Sequence, residues 1–123
     1  MTSVAAAELD QHERRVIEAL LTALREELGE QLRSVWLYGS RARGERSGPE
    51  SDVDLLVVTD GGRARDLDRV LVLIERVAER EGASPLRFDA RVVTPEWVRG
   101  RRAIDSFFMR DVDRDKIVLA GDP

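Results

Sequence analysis

An apolar run at residues 34–38 ends in Gly39-Ser40, and the next apolar run, 55–58, is opened by Asp52-Val53-Asp54. Residues 53–58 are β-branched and Leu-rich, bounded by Ser, Gly, Pro and Glu before and by Thr59-Asp60-Gly61-Gly62 after, which is the composition of a strand. Side chains alternate along a strand, so Asp52 and Asp54 point one way, roughly 6–7 Å apart, and Val53, Leu55 and Val57 point the other way, towards a core. Two ionised carboxylates that close raise each other's pKa. A bound Mg²⁺ removes the repulsion, and the pair can share its octahedral shell with phosphate oxygens and water. A Gly-Ser turn, for its part, lets backbone and hydroxyl approach phosphate oxygens. The two halves together suit a nucleoside triphosphate held with divalent metal. An Asp-x-Asp pair by itself also fits a plain solvated strand start; the nearby Gly-Ser turn favours the metal reading.

A third carboxylate lies further on. In the expected strand 86–93, Leu86, Phe88, Ala90 and Val92 share an apolar face, while Arg87, Asp89, Arg91 and Val93 share the other. An acidic residue mid-strand is disfavoured by propensity. Asp89 therefore either pairs with Arg87 or Arg91 on a wet face, or lines a site with Asp52 and Asp54. In the second case two carboxylates hold metal and the third can also orient or deprotonate an attacking hydroxyl.

The rest of the chain supplies a frame for these residues. Leu9, Val16, Ile17, Leu20, Leu21, Leu24, Leu28 and Leu32 recur at helical spacing over about 6–32. A strand at 34–38 follows, then one helical turn at 41–46 directly after Gly39-Ser40, and a loop at 46–51 containing Gly48-Pro49. A second amphipathic helix is expected over about 64–80, with Leu67, Val70, Leu71, Ile74, Val77 and Ala78 on its buried side, ending at Gly82. Thr94-Pro95 starts a further helix or two through about Asp111, by a capping hydroxyl and a Pro at the first helical position. A short last strand is expected at 117–120. The order is that of an α/β sandwich, with helices covering a small mixed sheet.

Composition narrows the chemistry. A chain of 123 residues is one domain, 1–123, with no space for a separate substrate domain. There is no cysteine, which excludes disulfides, Cys zinc sites and Cys nucleophiles. The single His12 makes a His-based triad or a multi-His metal site implausible. A net charge of −4 argues against non-specific binding of nucleic acid. No apolar run is long enough to span a membrane, and the N-terminus lacks a basic segment leading into an apolar one, so the cytoplasm is the expected compartment. Two lookalikes fail on inspection. Residues 39–44 have Walker spacing, but Glu45 and Arg46 stand where Lys and Ser/Thr belong. Asp111-x-Asp113-x-Asp115 starts like an EF-hand loop, yet Lys116 replaces its Gly.

Gly39-Ser40, then Asp52-x-Asp54, then a lone acidic residue on a later strand resembles the nucleotidyltransferase superfamily related to DNA polymerase beta. The run Leu37-Tyr38-Gly39-Ser40-Arg41-Ala42-Arg43-Gly44-Glu45, ending in Ser51-Asp52-Val53-Asp54-Leu55, is similar to the minimal nucleotidyltransferases. The resemblance covers most of the chain and is strongest over 35–58. It implies the polymerase-beta-like α/β fold and transfer of a nucleoside monophosphate, AMP from ATP, to a hydroxyl with release of pyrophosphate. By position it implies that Gly39 and Ser40 hold the β- and γ-phosphates, and that Asp52 and Asp54 coordinate two Mg²⁺ ions. Asp89 would share one ion and help activate the acceptor. Arg41 and Arg43, beside the turn, would offset charge on the leaving pyrophosphate. It further implies a setting: a toxin–antitoxin pair with a small helical HEPN-domain partner, in a homo- or hetero-oligomer, with a partner tyrosine as acceptor. The competing expectation is a non-catalytic antitoxin or regulatory subunit that neutralises its partner by contact.

Overall fold

The structure is a computed structural model that describes Ala7, residues 9–45 and residues 52–123. The elements run α1 (Gln11–Leu28), β1 (Leu32–Tyr38), β2 (Val53–Thr59), α2 (Gly62–Arg80), β3 (Phe88–Val93), α3 (Pro95–Ala103), α4 (Phe107–Asp115) and β4 (Ile117–Gly121), with 3₁₀ turns at Gly29–Gln31 and Pro85–Arg87. The four strands form one mixed sheet in the order β3-β2-β1-β4. β1 pairs antiparallel with both β2 and β4, whereas β2 pairs parallel with β3 across α2. This is the expected α/β architecture. Among the described residues no helix is long and apolar enough to cross a membrane.

Strand alternation sorts the core onto two faces. Val35 and Leu37, Val53, Leu55 and Val57, and Phe88, Ala90 and Val92 pack against Val16, Leu20 and Leu24 of α1 and Val70, Ile74 and Val77 of α2. Trp36, Leu56 and Val58 face the other way and pack on Val98 of α3 and Met109 and Val112 of α4. Each of these buried aliphatic side chains contributes on the order of 1.5–3 kcal/mol. On the second face Tyr38 and Phe108 border the apolar cluster, which stops short of Asp54 and Asp89, where β2 and β3 begin. The helices leave that corner of the sheet polar and open.

Element ends depart from the sequence expectations for local reasons. Helix α1 starts at Gln11, not near residue 6. Asp10 caps it by accepting from the Glu13 amide at 2.8 Å, while the Glu13 carboxylate accepts from the Asp10 amide at 2.9 Å. It stops at Leu28 because Gly29 turns at φ +57°, which leaves Leu32 to begin β1. Ala6, and the loop expected at 46–51, lie outside the described residues. Residues 41–44 form a hydrogen-bonded turn, in which the Gly44 amide donates to the Arg41 carbonyl at 3.2 Å and the Glu45 amide to the Ser40 carbonyl at 2.9 Å; Arg46, where the expected helical turn ends, lies outside the described residues. In α2, Leu73 takes the buried position and Leu71 is 43% exposed. Leu86 is 90% exposed, because the 3₁₀ turn begun by Pro85 occupies it before the strand starts at Phe88.

Candidate active site

Register brings the site together. Tyr38 on β1 stands opposite Asp54 on β2, and Asp54 stands opposite Asp89 on β3. Side chains at paired positions share a face, and neighbouring strands lie about 4.8 Å apart, so the two carboxylates and the phenol form a row across the open corner. Asp52, exposed just ahead of β2, lines a cavity of about 510 Å³ with Asp89 and Phe88 of β3 and with Leu71, Ile74 and Glu75 of α2. Among the described residues Asp89 makes no ion pair with Arg87 or Arg91: Arg87 leans to Glu13 at 3.6 Å, and Arg91 turns to Phe108.

Gly39 touches this row. Its φ is +79°, a conformation that side chains other than glycine's rarely adopt, and a Cβ there would stand 2.5 Å from Asp54 Oδ2. Turn and carboxylate approach so closely only because residue 39 has no side chain. Ser40 follows in the same turn, half-buried.

Asp54 carries the electrostatic signature of the site. Its carboxyl is pushed up to about 6, first by burial, then by the charges of Asp89 and Asp52, with Arg91 and Arg41 pulling the other way. Negative charge is thus concentrated around a half-buried oxygen donor that makes no ion pair among the described residues. Among the described residues no group of three or more acidic, histidine or cysteine side chains is placed to hold a metal ion by itself. The donors on hand are nonetheless carboxylate oxygens, the ligands that Mg²⁺ prefers, around a space that a Cβ at Gly39 would fill. The residues fit a divalent ion bound jointly with phosphate oxygens.

The two arginines beside the turn occupy different places. Arg41 is fully buried, and its guanidinium forks onto Glu13, itself 1% exposed, at 2.7 Å and 3.1 Å. The expectation of an arginine open to a departing pyrophosphate is corrected at Arg41: the side chain ties the turn to the first turn of α1 and acts on Asp54 through its field. Arg43 is partly exposed at the rim, 3.3 Å from Glu45 and 3.6 Å from Asp115, contacts weak enough to exchange for a ligand.

Two residues of the corner, Tyr38 and Arg91, were not expected in the site from the sequence. Tyr38 packs edge-on against Phe108 at 5.5 Å between ring centres; burial first, and then the charge of Asp54, push its hydroxyl above the ordinary phenol value, with the Arg91 guanidinium pulling the other way. Arg91 lies 4.8 Å over the Phe108 ring. Periodicity puts Arg91 on the Asp89 face, but only strand register shows Tyr38 beside Asp54.

The family model of the nucleotidyltransferase domain matches residues 17–113. The chain belongs to the nucleotidyltransferase domain family. Comparison with curated proteins gives no match. Two solved structures share the nucleotidyltransferase fold. One is a crystal structure of a mutant of the toxin–antitoxin MntA–HpeT, with 17% identity and a TM-score of 0.52 over 83% of this chain and 71% of that one. The other is a crystal structure of a toxin–antitoxin with AMP-PNP, with 19% identity and a TM-score of 0.54 over 85% of this chain and 73% of that one.

Proposed function

We propose that this nucleotidyltransferase moves AMP from ATP to a hydroxyl on a partner protein, a tyrosine of a HEPN-domain toxin, and so acts as the antitoxin of the pair. The observation that carries the reading is the close approach of the Gly39 turn to Asp54, which is paired in register with Asp89. The toxin–antitoxin setting draws support from the shared fold of the two structures above, one of which holds AMP-PNP.

In this reading Gly39 and Ser40 cradle the β- and γ-phosphates with backbone amides and the Ser40 hydroxyl. Asp52 and Asp54 would hold two Mg²⁺ ions, with Asp89 sharing one. The chemistry supplied by such ions is neutralisation of the triphosphate and polarisation of the acceptor hydroxyl. The acceptor oxygen attacks the α-phosphorus, the bond from that phosphorus to the β-phosphate oxygen breaks, and pyrophosphate leaves. Asp89 orients the hydroxyl and takes its proton. Arg43 at the rim offsets charge on the departing pyrophosphate.

The test is incubation with Mg²⁺, α-labelled ATP and a HEPN-domain protein. Label should appear on the partner with the natural sequence and not with Asp54→Asn or Asp89→Asn. A partner that is inhibited without label would refute transfer as the mode of neutralisation.

A further inference from the structure

We propose that the acceptor hydroxyl reaches this site on an extended, acidic polypeptide segment that adds as a strand to the free edge of β3. The inference rests on the transfer reading above and concerns how its protein substrate is held.

Strand β3 closes the sheet order, and its six residues pair with β2 from Phe88 opposite Val53 to Val93 opposite Val58. Among the described residues no strand pairs with its outer edge, which leaves a row of backbone donors and acceptors available to another chain. A cavity of about 470 Å³ follows that edge, lined by the consecutive residues 89–94. Because consecutive residues point to alternate faces, a cavity that touches all of them runs along the edge and not over one face. Arg63 and Leu67 of α2 wall it on one side and Trp97 of α3 on the other. A trough bounded by two helices along an unpaired strand suits one extended segment, about 20 Å of it for six residues.

Register connects the trough to the chemistry. A residue of the added strand opposite Asp89 would point to the face that Asp89 shares with Asp54. A hydroxyl side chain at that position, tyrosine being the longest, is delivered to the carboxylate row by backbone pairing alone. Charge selects the segment. Arg63 has no ion pair among the described residues, and Arg91 lies against the Phe108 ring at 4.8 Å. Arg101 lies over the Trp97 ring at 5.1 Å, at the far end. Acidic side chains flanking the acceptor would meet these guanidinium groups. Charged residues on an edge strand can also serve only to discourage pairing, and the test separates the two.

The probes are random copolymers of glutamate with tyrosine and of lysine with tyrosine, added to the full chain. The expected result is at least tenfold slower amide exchange at 89–93 with the glutamate copolymer and no slowing there with the lysine one. With Mg²⁺ and labelled ATP, label should pass to the glutamate copolymer, and Arg63→Glu should raise KM for it at least fivefold with little change in kcat. Unchanged exchange at 89–93, or equal slowing by both polymers, overturns the strand-addition proposal. Calorimetry of the same protein with Mg²⁺ and a non-hydrolysable ATP analogue reports on the transfer reading separately: binding with no edge protection sinks only the docking mode, and edge protection with no nucleotide binding sinks only the transfer reading.

Discussion

Replacing Glu13 by alanine should destabilise this protein far more than any surface carboxylate would. Both members of the Glu13–Arg41 pair are removed from water, and the guanidinium bonds both carboxylate oxygens at 2.7 Å and 3.1 Å. Taking one partner from a buried pair costs about 3–5 kcal/mol, because the other charge stays desolvated without its counterion. Glu13 also closes the capping box of α1 through the Asp10 amide, a contact worth about 1 kcal/mol that the alanine loses as well. Arg41 and Arg87 retain other neighbours that soften the loss, so the expected net cost is about 3 kcal/mol. Against a total of about 5–15 kcal/mol that is a large fraction. The assay is urea unfolding followed by tryptophan fluorescence, where a slope of about 2 kcal/mol/M turns the loss into a midpoint shift of about 1.5 M. Glu13→Leu combined with Arg41→Met should recover most of the stability, since an apolar pair of similar volume replaces the ion pair without leaving a charge behind. A Glu13→Ala cost below about 1 kcal/mol would refute the reasoning and mean that Arg41 is satisfied without this carboxylate.

Asp54→Asn should stabilise the metal-free protein at pH 8. The carboxyl is raised from 3.8 to about 6 in the fold, so keeping it ionised opposes folding above pH 6; the full shift would be worth about 3 kcal/mol, and solvent screening of this half-exposed group reduces that to about 1–2 kcal/mol. The gain should shrink as pH falls through 6 and vanish below about 4, where the carboxyl is protonated in both states; thermal melts at pH 4, 6 and 8 check the sign, and a gain that grows towards low pH would contradict it. Gly39→Ala should cost both stability and nucleotide binding, since it strains φ +79° and drives a methyl into Asp54 Oδ2; unchanged affinity for an ATP analogue in that variant would show that the turn does not cradle phosphate. Leu86→Ser should leave the melting temperature within about 2 °C of the natural sequence, as an exposed side chain loses little on truncation; a large drop would place Leu86 in a core.

Much of this molecule follows from period and punctuation. The alternation at 53–58 separates Asp54 from Leu55 and Val57, and the same alternation puts Asp89 opposite Phe88 and Ala90, so the two acidic faces are legible strand by strand. That the faces coincide depends on parallel pairing of Asp54 with Asp89, a register set by α2 and the sheet and not by either segment. Asp10-x-x-Glu13 spells a capping box in the sequence, and reading it would have started α1 at the right residue. Nothing local announces that the same Glu13 receives Arg41 from twenty-eight positions away, which is why an arginine next to the phosphate turn read as a ligand contact. Leu71 and Leu73 stand on opposite borders of the apolar stripe of α2, about 160° apart round the helix, and packing buries the Leu73 border and leaves Leu71 in solvent. Leu86 continues the strand's apolar alternation, yet Pro85 commits it to a 3₁₀ turn.

Calorimetric titration with a non-hydrolysable ATP analogue tests the central claim most directly, run with and without Mg²⁺ on the natural sequence and on Asp54→Asn. The account predicts binding that needs Mg²⁺ and is lost in the variant, while the variant's melting temperature is equal or higher. Equal affinity with Asn at position 54, or binding indifferent to Mg²⁺, would contradict it.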